Sequence, residues 1–186
     1  MPVSRVAARQ PAGGLGERRL VREAQRGSAE ALETLFRREW PRAYRAAYLV
    51  VHDAAAAEDI AQEAFLAAVR ALDRFDRRRP FGPWMHRIVV NRAIDVARAR
   101  TLRREVDASA AESVEAPPDP PSLAVSDALL DALRRLGPEQ RALVALRYLF
   151  DYTPGEIARV LEVPRGTVNS RLRRALDRLA EIVGET

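Results

Sequence analysis

Between Arg165 and Leu176 the chain carries Arg165, Thr167, Asn169, Ser170, Arg171, Arg173 and Arg174, and no acid at all. Wound into a helix at 100° per residue, Thr167, Ser170, Arg171 and Arg174 stand opposite an apolar stripe of Val168, Leu172, Ala175, Leu176 and Leu179. Asn169 and Arg173 lie on one flank. Short polar groups near a helix N-terminus reach base edges in a major groove, and guanidiniums reach guanine or phosphate. This is the chemistry of binding, not of bond making. Just upstream, Thr153-Pro154-Gly155-Glu156 places a hydroxyl at the N-cap, proline at N1 and glutamate at N3, which is a capping box. A short helix with Ile157, Ala158 and Leu161 inward and a tight turn at Glu162-Val163-Pro164 then lead into the basic helix, a helix-turn-helix pattern. The plainer alternative is a solvated basic face on a helical hairpin. The spacing, the capping box and the missing acids favour duplex DNA.

Two further clusters stand earlier in the chain. On a helix expected over 54–74, Asp59, Gln62, Glu63, Leu66 and Arg70 share one arc, away from Phe65, Ala68, Val69 and Leu72. A leucine among acids suits a protein-binding face, but single exposed leucines are ordinary, and spacing leaves both readings open. Next come Arg77, Arg78 and Arg79 in a loop, followed by Trp84, Arg87, Asn91, Arg92, Asp95 and Arg98 on a helix. Aromatic and basic groups together can hold single-stranded DNA, by stacking and phosphate contact. From spacing alone, a core tryptophan among solvated arginines is the simpler account. Trp40 and Tyr44 read as core. His52, near a helix end, and His86, on a helix, read as ordinary, partly exposed side chains.

The elements that must position these groups are helices. Ala, Leu, Arg and Glu dominate the 186 residues, 47% are hydrophobic and 31% charged, and an all-α fold is expected. A short helix is expected over 17–26. Ser28 caps a helix carrying Leu32, Leu35 and Phe36, and Pro41 opens a fresh one with Tyr44, Ala47, Tyr48 and Val51 inward. Asp53 caps the helix over 54–74, and Pro83 starts one that runs through Ile88 and Ile94 to Leu102. Four more helices are expected over 123–136, 138–149, 154–161 and 165–183. Residues 1–16 read as a disordered tail.

Charge marks the boundary between two small helical domains. Residues 1–104 carry a net +9, residues 105–127 a net −6 with no basic residue, and residues 128–186 a net +2. The middle stretch contains Ala-Pro-Pro-Asp-Pro-Pro at 116–121, so 105–122 reads as a flexible acidic linker between domains at 17–104 and 123–186. All 31 basic residues are arginine, which inflates the pI of about 10.5; the net charge of +5 is the better guide. The absence of cysteine excludes disulfides, thiolate metal sites and cysteine nucleophiles. Two histidines offer no metal or catalytic cluster, so neither enzyme activity nor a cofactor is expected. No 18-residue apolar window and no apolar leader at the N-terminus point to a cytoplasmic protein without membrane insertion.

Three segments in this order resemble the sigma-70 family, specifically its extracytoplasmic-function (ECF) group. Ala57-Glu58-Asp59-Ile60-Ala61-Gln62-Glu63-Ala64-Phe65 is similar to the family's segment for binding core polymerase. Trp84 through Asp95 is similar to the segment that melts and reads the −10 element, and Leu136–Arg141 through Val163–Leu172 to the −35-reading domain. The resemblance implies that Asp59, Gln62, Glu63 and Leu66 dock on the β′ clamp helices of bacterial core RNA polymerase, and that the second domain meets the β flap. It implies that Arg77, Arg78, Arg79, Trp84, Arg87 and Asn91 hold the melted −10 strand. Arg165, Thr167, Asn169, Ser170, Arg171 and Arg174 would read −35 duplex in promoter DNA. It further implies an anti-sigma factor as partner, and an acidic linker that mimics nucleic acid in the polymerase channel. The chain departs from the family pattern at Asn169, where many relatives have lysine, and at Gly82-Pro83. A helix-turn-helix regulator acting without polymerase and a helical adaptor with no DNA role are the rival readings.

Overall fold

The computed structural model describes residues 15–106 and 127–184; the expected tail, apart from Leu15 and Gly16, and nearly all of the acidic linker lie outside the described residues. Among the described residues the fold is all-α. Helices α1 (Leu15–Gln25), α2 (Ala29–Val51), α3 (Ala54–Ala71) and α4 (Phe81–Val106) form the N-terminal half. Helices α5 (Asp127–Arg134), α6 (Pro138–Val144), α7 (Pro154–Val160) and α8 (Arg165–Gly184) form the C-terminal half.

Local chemistry sets most of the boundaries. Gly27 takes φ +89°, a left-handed turn that a side chain would strain, and Ser28 Oγ then accepts the Ala31 N–H at 3.2 Å to start α2. Asp53 Oδ1 accepts the Ala56 N–H at 2.9 Å to start α3, and its other oxygen accepts from Arg100. The first of these bonds, with lesser help from Arg100, holds the Asp53 carboxyl below its usual range. Pro41 does not open a new helix: α2 runs unbroken through it. Proline removes one intrahelical N–H, but packing on both sides outweighs that loss. Phe36 stacks on Trp40 at 5.0 Å before it, and Ala43, Ala46 and Ala47 are fully buried after it. The expected 54–74 helix ends at Ala71 and finishes as a 3-10 turn over Leu72–Arg74, while the expected 138–149 helix widens into a π turn over Ala145–Leu149.

Helix α4 is the central element. Met85, Val89, Val90 and Ala93 are buried, and the helix packs on both α2 and α3. Its N-terminus is held by carboxylates. Glu17 of α1, buried, accepts the Phe81 N–H at 2.8 Å, and buried Glu39 of α2 stands beside Gly82, where a Cβ would come within 3.3 Å of Oε2. Acids at a helix N-terminus face its free N–H groups and positive dipole end. Burial pushes the Glu39 carboxyl above its ordinary range despite Arg42 and Arg38 nearby.

The two halves touch along α4 and the end of α2, with α4 meeting both α6 and α7. His86 is 1% exposed there, a correction to its expected half-open surroundings. Its Nδ1 shares a 2.6 Å hydrogen bond with the Tyr152 hydroxyl, and its ring lies 5.0 Å from Phe150. Arg141 of α6 donates to the Val50 carbonyl at 2.6 Å, satisfying an acceptor at the C-terminal end of α2. His52 caps that same helix end and is half-buried, with both ring nitrogens lacking partners.

Burial, with Arg42 adding to it, lowers the His86 pKa from 6.5 to about 3. The unfolded chain binds this proton below pH 6.5 and the folded chain does not until about pH 3, so stability falls as pH drops through that window. At pH 5 the expected loss from His86 is about 2 kcal/mol relative to neutral pH. Burial, with Arg141 and Arg134 adding to it, lowers the His52 pKa to about 3 as well, so denaturant titrations at pH 7 and pH 5 should show a difference that His86→Gln cuts by about half. An equal pH effect in that variant would refute the assignment.

Candidate nucleic-acid interface

The helix-turn-helix is built from its caps outward. Thr153 Oγ1 accepts the Glu156 N–H at 3.3 Å, and Glu156 Oε2 accepts the Thr153 N–H at 2.8 Å, so the capping box forms as read. Ile157 and Val160 anchor α7 in the core. The turn to α8 passes through Glu162 at φ +54° and is closed by Val163 N–H on the Ala158 carbonyl at 3.1 Å. Pro164 then accepts the Thr167 N–H at 2.9 Å, opening α8.

Helix α8 sorts its faces as the spacing implies. Val168, Leu172 and Ala175 are buried, while Arg165, Asn169, Ser170, Arg171 and Arg174 are exposed and Thr167 is half-buried. Leu176 is a correction: it is 36% exposed, outside the core stripe. Arg171 and Arg174 share a recess of about 270 Å³ with Arg98, Glu139, Gln140 and Leu143. Within it Arg98 of α4 is paired with Glu139 of α6, an ion pair between the two halves. Burial opposes ionisation of Glu139, but its own backbone N–H, then Arg98 and more weakly Arg171, hold the carboxyl below its usual range.

The single-strand candidates lie across the Asp76–Pro80 loop and the start of α4. Arg77, Arg78 and Arg79 are exposed. Trp84 is half-buried, its ring 4.6 Å from Phe75 and 5.4 Å from Phe81, so part of it is core and part is open. Arg87 and Asn91 follow on the same face of α4, both half-buried. Arg87 is not free: it forms a 2.7 Å ion pair with Glu162 of the helix-turn-helix. Neither Glu162 nor Glu139 stood among the expected site residues. Each contacts a residue distant in sequence, and no local pattern announces that.

The acidic stripe forms as one face. Asp59, Gln62, Glu63 and Leu66 are all exposed on α3, Leu66 at 57%, and Glu63 pairs with Arg92 of α4 at 2.7 Å. Val69, expected inward, is 44% exposed instead. With Leu66, Leu32, Phe36 and Phe65 it lines an apolar groove of about 450 Å³ between α2 and α3. Exposed apolar groups gathered beside an acidic stripe fit a protein-binding surface better than open water.

Among the described residues no helix is long and apolar enough to cross a membrane, and no cluster of three or more His, Asp or Glu is placed to hold a metal ion.

Comparison with known proteins agrees with this geometry. Residues 35–103 match the family "Sigma-70 region 2", and residues 126–179 match "Sigma-70, region 4". The chain is 36% identical over 170 residues to the ECF RNA polymerase sigma factor BldN of Streptomyces coelicolor, covering 88% of this chain and 64% of that one. It is 33% identical over 164 residues to the RNA polymerase sigma factor CarQ of Myxococcus xanthus, covering 86% and 92%. The fold is similar to that of CnrH, solved in complex with the cytosolic domain of CnrY, with a TM-score of 0.67 at 24% identity over 91% of this chain and 97% of that one.

Removal of the capping hydroxyl by Thr153→Ala should cost about 1 kcal/mol of stability, as N-cap losses generally do. Thermal unfolding of the full chain measures it. An unchanged midpoint would mean that the Glu156 carboxylate alone holds the start of α7.

Proposed function

The chain belongs to the sigma-70 family as an ECF RNA polymerase sigma factor that directs promoter-specific transcription initiation, and we propose how its surfaces divide between polymerase and DNA. The first domain, 17–104, docks on core polymerase through Asp59, Gln62, Glu63 and Leu66 of α3. Acids around an exposed leucine suit a basic helical partner such as the β′ clamp helices. The observation that carries the division is the separation of faces: the acidic stripe is on α3, whereas the acid-free basic face is on α8.

In the second domain, 123–186, Arg165, Thr167, Asn169, Ser170, Arg171 and Arg174 enter the −35 major groove. Arg77, Arg78, Arg79, Trp84, Arg87 and Asn91 receive the melted −10 strand. Bases that have already left the stack are captured, which offsets an unpairing cost of a few kcal/mol each. The protein acts in the cytoplasm and catalyses nothing itself; phosphoryl transfer belongs to the polymerase. An anti-sigma factor covers the α3 stripe and the neighbouring apolar groove when the protein is held inactive. The acids between the domains take the place of nucleic acid in the basic polymerase channel.

Reading both elements requires the halves to part. Elements centred some 25 base pairs apart are separated by about 85 Å along B-form DNA. Arg87 and Glu162 stand 2.7 Å apart. The arrangement with α4 against α6 and α7 is therefore the form before promoter engagement, and Arg87 exchanges Glu162 for phosphate on opening.

Replacing both Asp59 and Glu63 with arginine should abolish co-purification with core polymerase, whereas Arg171→Ala should leave it intact and cost about 1–3 kcal/mol at one −35 position. Normal core binding by the first variant would refute the docking face. A loss spread evenly over all promoters would make Arg171 a phosphate contact. Because the chain has no cysteine, Arg98→Cys and Glu139→Cys, at the other ion pair between the halves, can be joined selectively by a short bis-maleimide. The joined protein should fail in run-off transcription while the unjoined double variant initiates; full activity after joining would disprove the opening step.

A further inference from the structure

A second basic surface stands beside the −10 candidates, and the resemblance does not assign it. Arg18 and Arg22 of α1 line a groove of about 480 Å³ with Phe75, Asp76, Arg77 and Arg78. Four guanidiniums face one carboxylate there. None of the four has an acidic partner among the described residues, and Asp76 Oδ1 is already accepting the Arg78 N–H at 2.9 Å. Several arginines elsewhere in the same half are paired, among them Arg19 on Glu23, Arg37 on Glu33, Arg92 on Glu63 and Arg100 on Asp53. Helix α1 itself shows the contrast. Its Arg19/Glu23 stripe is neutralised, and the adjacent Arg18/Arg22 stripe, four residues apart on one face, is not.

The convergence is built into the fold. Glu17 Oε1 accepts the Phe81 N–H at 2.8 Å, and Gln25 Nε2 donates to the Leu72 and Phe75 carbonyls at 2.8 and 3.0 Å. Helix α1 is thus fastened to both ends of the segment 72–81, and Val21 is buried between these ties. Those contacts fix the register that brings Arg18 and Arg22 beside Arg77 and Arg78. Like charges held together by a rigid frame, four against the single carboxylate of Asp76, suit an anionic ligand with repeated charges. Phe75 belongs both to the groove and to the cluster with Trp84, so the groove continues the surface on which the open part of Trp84 lies.

We propose that Arg18 and Arg22 extend the single-strand site into a phosphate track, in which α1 and the 76–80 loop grip the backbone of nucleotides flanking the melted −10 bases. The track contacts phosphates alone and adds affinity without sequence preference. This rests on the assignment of Arg77–Arg79 and Trp84 to the melted strand.

The test uses holoenzyme and fluorescent single strands: the −10 element alone, the same element extended by eight nucleotides on its 5′ or 3′ side, and a scrambled strand. In the unmodified protein one extension should tighten binding. The double variant Arg18→Ala, Arg22→Ala should lose that gain, and the slope of log affinity against log salt should fall by about 1.4, about 0.7 for each phosphate released. The double lysine variant should keep most of the gain, and Arg19→Ala should keep all of it. The proposal is overturned if neither extension helps, if the alanine variant retains the gain, or if Arg19→Ala removes it equally. If the unmodified holoenzyme does not prefer the −10 strand to the scrambled one, the underlying strand assignment fails and the track with it. Preference for the −10 strand that survives in the alanine variant, alongside a lost extension gain, supports both.

Discussion

Helix α4 has two sets of neighbours for one length of surface, and most of the molecule follows from that. Its apolar face, Met85, Val89, Val90 and Ala93, completes the N-terminal core, which fixes its position. The face left over carries His86, Arg87 and Asn91, and there the C-terminal half packs. The contact is mixed in character. His86 against Phe150 and Tyr152 is desolvated and directional, while Arg87–Glu162 and Arg98–Glu139 are partly exposed ion pairs. Exposed pairs each contribute at most about 1 kcal/mol. Such a contact fits the opening step proposed above, in which the halves part on the promoter. A wholly apolar interface would hold the closed form too firmly for a protein that must span a promoter.

Charge in this chain is best understood by what each arginine faces. The +9 of the first 104 residues is partly spent internally, on Glu23, Glu33, Glu63 and Asp53. One group of arginines without an acidic partner among the described residues stands where the 76–80 loop meets the Arg18/Arg22 stripe of α1. On α8 the pattern is simpler, because the sequence from Arg165 to Leu176 contains no acid to pair with. Net charge alone would suggest a weak affinity for nucleic acid. The distribution of unpaired guanidiniums is what the proposed division of surfaces rests on.

Local signals were the legible part. Ser28, Asp53 and Thr153 each cap the helix they were expected to cap, because a cap is decided within three residues. The exposed basic face of α8 was legible for the same reason: periodicity alone sorts it from the buried Val168, Leu172 and Ala175. Pro41 misled because a rule valid for an isolated turn lost to packing by Phe36, Trp40 and the alanines beyond it. Val69 and Leu176 misled because apolar character at helical spacing marks a face without saying that anything covers it. His86 was illegible in principle: its surroundings come from Phe150 and Tyr152, more than sixty positions away in the chain.

The tight fit of Gly82 against the buried Glu39 carboxylate has a consequence for engineering promoter choice. The loop preceding α4 looks like a portable cassette, short and exposed. Its downstream end is nevertheless matched to Glu39 on α2 and Glu17 on α1, and its upstream end to Gln25 on α1. A loop transplanted from a relative with a bulkier residue at position 82 would arrive without the cavity it was shaped for. The loop, Glu39 and α1 are one structural unit, three separate stretches that would have to be exchanged together.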